Sequence, residues 1–126
     1  MKLLVLALLF PISTTAWAQW TRIASHDEAE VYADLATIRQ QGSTVKMWSL
    51  YDHRSSQHWG DVEFLSHMTH EQYDCSAKQQ RTLYFSMYSR NMGDGQRVYS
   101  RSRPGPWGPL PPGSIIEKLW KIACKR

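Results

Sequence analysis

Apolar and polar positions alternate along much of the chain from residue 20 to residue 101, and the alternation predicts strands. Residues 20–25 (WTRIAS) and 29–35 (AEVYADL) have the form of short strands. Residues 44–52 (TVKMWSLYD) are rich in β-branched and aromatic side chains and predict a strong strand. Residues 61–74 (DVEFLSHMTHEQYD) predict a longer, more polar one. Over residues 81–89 (RTLYFSMYS), Leu83, Phe85 and Met87 point one way and Thr82, Tyr84, Ser86 and Tyr88 the other. A turn about Gly42 (residues 39–44) and a hairpin turn at residues 91–96 (NMGDGQ), before a return strand at 97–101, separate these runs. Polar residues 54–60 (RSSQHWG) predict a loop.

Beyond residue 102 the pattern changes. Residues 103–113 (RPGPWGPLPPG) hold five of the six prolines, which excludes helix and central strand and predicts an extended connector. Residues 113–126 then predict one helix. Ser114 and Glu117 have capping-box spacing, and Ile116, Leu119, Trp120 and Ala123 repeat on one face. Lys118, Lys121 and Lys125 fall opposite.

The N-terminus has a different character. Lys2, the apolar run of residues 3–12 and the small-x-small "AWA" at 16–18 predict a signal peptide over residues 1–18. Residues 19–126 then form one small exported domain, periplasmic or secreted. No cysteine stands at the cleavage point to take a lipid anchor, and no later run has the length of a transmembrane segment. In an exported chain the two cysteines, Cys75 and Cys124, predict one disulfide.

Charge is divided along the chain. Residues 19–77 carry four Lys or Arg against nine Asp or Glu, whereas residues 78–126 carry ten against two. A basic face and an acidic partner are one reading, and a mixed polar surface is the other. Export argues against nucleic acid as the partner.

The candidate chemistry narrows on inspection. "LSHMTHEQYDC" (65–75) contains zinc-ligand residue types, but a strand places His67 and His70 on opposite faces and the disulfide claims Cys75. A partial site using His53, His58 or His67 is the residual metal reading, and no cofactor is predicted. The order H-x-x-H-E is not that of a metalloprotease, and no G-x-S-x-G elbow occurs, so no catalytic residue is assigned and an enzyme is not expected. "NMGDGQR" lacks the phosphate-loop pattern and reads as a turn. The most suggestive surface joins Tyr84, Tyr88 and Arg90 with Arg97, Tyr99, Arg101 and Arg103. If the hairpin register aligns the two strand faces, these form one Arg/Tyr patch of the composition favoured at binding hot spots. The alternative is an ordinary sheet face held by cross-strand pairs.

Residues 31–52, "EQYDC" (71–75), residues 81–100 and residues 107–124, taken in order, resemble the surface-adhesin protein E family of exported bacterial proteins. The resemblance implies an α+β fold: one antiparallel sheet of about six strands, a C-terminal helix packed on it, and a disulfide joining them. It also implies binding to host proteins such as vitronectin, laminin and plasminogen, with haem binding and a homodimer as further expectations. Two departures qualify it. The lipobox cysteine of the family's namesake is missing. The region matching its basic adhesive stretch carries Asp61, Glu63, Glu71 and Asp74 before Cys75, so adhesive residues are not carried over. The expectation is a non-catalytic protein that recognises a protein or anionic surface partner; the alternative is a periplasmic binder of a small ligand, haem or a metal.

Overall fold

Strands that follow one another in sequence also lie side by side. The computed structural model describes residues 2–11 and 18–125. β1 (Thr21–Ser25), β2 (Ala29–Gln41), β3 (Thr44–Trp59), β4 (Val62–Asp74), β5 (Gln79–Tyr88) and β6 (Arg97–Arg101) form an antiparallel meander in chain order. β7 (Gly108–Pro109) pairs with Gln79 and Gln80, sharing the outer edge of β5 with β6. The proline-rich connector therefore runs back along β5, where an edge position tolerates residues that lack an N–H. Residues 2–11 carry no regular structure. Positions 16 and 17 of the predicted cleavage signal lie outside the described residues. No described helix is long and apolar enough to cross a membrane.

α1 (Ile115–Cys124) packs on one face of β2, β3 and β4. The Glu117 N–H donates to Ser114 Oγ at 3.1 Å, and the Gly113 N–H donates to Glu117 Oε1 at 3.2 Å. The start signal read in the sequence thus satisfies helix-end donors that would otherwise lack a partner. Leu119 and Ala123 are buried against Val31, Ala33, Val45, Met47 and Tyr73, while Lys118, Lys121 and Lys125 face solvent. Two further ties hold the helix to the end of β4. The Trp120 indole N–H donates to Asp74 O at 2.9 Å, and Cys75 is disulfide-bonded to Cys124.

Three details differ from expectation. The polar stretch expected as a loop at 54–60 is strand as far as Trp59, because β3 continues past a register shift and pairs Gln57, His58 and Trp59 with Phe64, Glu63 and Val62. Its outward polar side chains meet solvent, so nothing in the pairing excludes them. The strand expected at 29–35 runs on to Gln41. In β5, a register shift pairs His70 with Tyr84 but Glu71 with Thr82, which breaks the expected alternation at Leu83. Thr82 consequently joins the face of Phe85 and Met87.

The face opposite α1 has its own cover. The 3-10 turn Asn91–Gly93 folds back over Leu50 and Met68. A Cβ on Gly93 would stand 2.1 Å from Met68 Cε, and its φ of +70 also favours glycine, so this close approach needs the residue found there. The Met92 N–H donates to Asp52 Oδ1 at 2.8 Å and the Gly93 N–H to Ser66 Oγ at 2.9 Å. These amides are engaged within the protein and are not a free anion cradle.

Candidate binding site

The rows of paired residues crossing the α1-side face show what the helix covers and what it leaves open. Val45 and Tyr73 lie beneath the helix. Farther out come the row Met47, Glu71, Thr82, then Ser49, Thr69, Phe85, Arg101, then Tyr51, His67, Met87, Tyr99. Beyond the helix, the outer ends of these rows meet Trp59 from the last residue of β3. The Trp59 ring stands 4.8 Å from Tyr99 and 6.1 Å from Phe85, both edge-on.

These side chains form a groove of about 350 Å³. Trp59, Phe85 and Met87 make its apolar wall, Arg101 and Arg103 its rim, and Gly105 its far edge. No carboxylate lines it. A second, shallower depression of about 640 Å³ shares Arg101 and Arg103 and extends over Tyr99 and Pro104. Arg101 and Arg103 line both depressions, which together make up a trough with the arginines common to its two halves. Trp59 is 49% exposed, a large indole surface left open to solvent.

The register does not assemble the seven expected partner-binding residues into one patch. Tyr99 lies opposite Met87 and Arg101 opposite Phe85, which puts both on the α1 side with the groove. A shift between Met87 and Tyr88 then pairs Tyr88 with Arg97 and turns Arg97 to the other face. There its Nη1 donates to Tyr84 Oη at 3.3 Å. Tyr84, Tyr88 and Arg97 are therefore separated from Tyr99, Arg101 and Arg103 by the thickness of the sheet. Arg90 sits at the hairpin turn, where its carbonyl accepts from Ser66 Oγ at 2.6 Å. Alternation put each set on one face of its own strand, and the single patch depended on a hairpin register that the bulge at Val98 does not provide. Trp59, Phe85 and Met87 were not among the expected site residues. The available signal was a tryptophan alone in a polar run, which a loop assignment concealed.

The histidines separate as expected from strand alternation. His67 stacks on Tyr51 at 4.6 Å on the α1 side, and His70 stacks on Trp48 at 4.6 Å on the other. Across strands, His53 Nε2 and His67 Nδ1 approach to 3.0 Å, so the two rings share a hydrogen bond. Burial, with a smaller contribution from His53, holds the His67 imidazole down to about 3. Burial lowers His53 and His70 as well. The pair is thus a neutral, packed element beside the groove. Among the described residues no group of three His, Cys, Asp or Glu gathers to hold a metal ion. Glu71 is buried below the groove, accepting from Thr82 Oγ1 at 2.9 Å, and burial pushes its carboxyl up.

A sequence model of the family described as "Surface-adhesin protein E" matches residues 20–125. The fold is similar to that of Haemophilus influenzae protein E, with a TM-score of 0.65 at 13% identity, covering 90% of this chain and 89% of that one. A second crystal form of the same protein gives a TM-score of 0.67 at 13% identity, covering 90% and 92%. Protein E from non-typeable Haemophilus influenzae gives 0.63 at 13% identity, covering 90% and 80%. At this identity the likeness is one of fold. No curated protein matches the sequence.

Proposed function

Because the chain belongs to the surface-adhesin protein E family, we propose that it is an exported, non-catalytic binding protein that recognises an anionic protein partner through the groove edge of β5 and β6. Residues 1–18 act as the signal peptide in this reading, and the mature domain begins at Gln19. The observation that carries it is the grouping of exposed Trp59 and half-buried Tyr99 with two exposed arginines, Arg101 and Arg103, around a trough in which no described carboxylate is a lining residue. Aromatic and arginine side chains contribute most per residue at protein interfaces. Tyr84, Tyr88, Arg90 and Arg97 stand apart from the trough and serve the sheet and its hairpin. The metal or haem alternative has less behind it, since His53 Nε2 and His67 Nδ1 are engaged with each other.

Capture experiments test the proposal. The exported protein and an Arg101→Glu/Arg103→Glu variant are immobilised and exposed to host extracellular proteins at physiological salt. Both arginines are exposed, so the fold should tolerate the change. Reversing two rim charges should weaken capture of the acidic partner about tenfold and make the remainder insensitive to salt. Equal capture by both proteins would remove the groove edge from consideration.

A further inference from the structure

The trough has two halves of different chemistry, and that division is more specific than attraction to negative charge. We propose that its occupant is an extended acidic segment of a partner protein carrying one bulky apolar side chain, which enters between Trp59, Phe85 and Met87 while flanking carboxylates meet Arg101 and Arg103. This rests on the reading of the groove edge as the binding surface and adds what is bound there.

Three observations point to this occupant. The apolar wall is aromatic and partly open, with Trp59 edge-on to both Phe85 and Tyr99. Edge-on pairs present ring faces that a further aromatic ring can meet. A volume of about 350 Å³ suits one large side chain with part of its backbone, rather than a folded surface. The groove is also open-ended. Arg101 and Arg103 also line the second depression over Tyr99 and Pro104, so an extended chain lying across the arginines can occupy both where a small molecule would leave one empty. The arginines stand at the junction of the two halves. Carboxylates one or two residues from the anchor would reach them, and no lining carboxylate competes. A uniform polyanion would use the arginines and leave the apolar wall in water, which forgoes the larger gain.

Two synthetic peptides of equal negative charge test this directly. Both are rich in Asp and Glu; one has a central Phe, and the other has Ser in its place. The Phe peptide should bind at least about tenfold more tightly, since burying an aromatic side chain suffices for that ratio. Trp59→Ala and Gly105→Leu should each abolish the difference between the two peptides, so that on either variant the Phe peptide binds no more tightly than the Ser peptide does. Gly105 has room for a side chain, as the nearest atom to its added Cβ is Thr82 O at 3.7 Å, and Trp59 is exposed. Gly105→Leu should therefore keep a wild-type melting curve, while Trp59→Ala, which gives up the edge-on contacts with Phe85 and Tyr99, should melt somewhat lower and stay folded at the assay temperature. Equal affinity for the two peptides would overturn the anchor while leaving the anionic-partner reading in place. Binding of the Phe peptide that survives Arg101→Glu/Arg103→Glu would instead overturn that reading. Binding of neither peptide would overturn both. Tighter binding of laurate than of the Phe peptide would assign the groove to a free acyl anion and overturn the proposal.

Discussion

Removing the Cys75–Cys124 disulfide, by reduction or as Cys75→Ser/Cys124→Ser, is expected to destabilise the domain by about 4 kcal/mol. The bond joins residues 49 apart, and the value is the loop-closure entropy that a crosslink of that length removes from the unfolded chain. Such a loss is a large share of the roughly 5–15 kcal/mol that holds a typical domain together. It also acts at a sensitive place. α1 is ten residues long, too short to be stable alone, and it supplies Leu119 and Ala123 to the core. Without the bond, the helix is held by its packing and by the hydrogen bond from Trp120 to Asp74 O. Urea unfolding with and without reductant measures the effect. The midpoint should fall sharply, and the slope should rise somewhat, because the unfolded chain without the crosslink exposes more surface. A midpoint unchanged by reduction would show that helix packing alone fixes this end of the sheet.

Acid should weaken the fold through His67. Its imidazole is held to about 3 when folded, against an ordinary value of 6.5 in the unfolded chain. Between those values the unfolded chain binds a proton that the folded chain refuses. Stability is therefore complete above pH 6.5 and is lost as pH falls toward 3, at up to about 1.4 kcal/mol per pH unit. From pH 6.5 to 4.5 the loss is about 2–3 kcal/mol. That window lies above the region where the lowered carboxyls of Glu30, Asp74 and Glu117 take up protons. Their contribution is lost only below about pH 4.5. Glu71 acts with the opposite sign, because its raised carboxyl favours proton uptake by the folded chain. A His67→Phe variant isolates the histidine. The new ring keeps the stacking position between Tyr51 and Phe85, and the partly exposed His53 can turn to water. Unfolding free energies of the two proteins should diverge from pH 6.5 downward, with the variant losing less. Parallel curves would mean that His67 gains its proton without unfolding.

The strands, the capped helix and the disulfide were legible because each depends on short-range signals. β-branched and aromatic alternation predicted β3 and β4, Ser114 and Glu117 marked the helix start, and two cysteines admit one pairing. The candidate site was less legible because it depends on register. Whether Tyr99 and Arg101 face Tyr84 or Phe85 turns on one extra residue at Val98, and nothing in the alternation of residues 97–101 shows it. The same applies to Leu83. Trp59 escaped because a polar strand extension at a sheet end has the composition of a loop. The seven residues expected as one patch are thus divided by the irregularity at Val98, and only Tyr99, Arg101 and Arg103 stay with the groove.

The most direct test of the groove is to follow the tryptophan indole N–H signals by NMR while the acidic Phe peptide is added. Trp59 lies in the groove, Trp48 on the opposite face against His70, and Trp120 on α1 with its indole N–H on Asp74 O. The Trp59 signal should move and saturate while those of Trp48 and Trp120 stay in place. Movement of Trp48 with Trp59 unchanged would put the partner on the other face of the sheet and contradict binding in the groove.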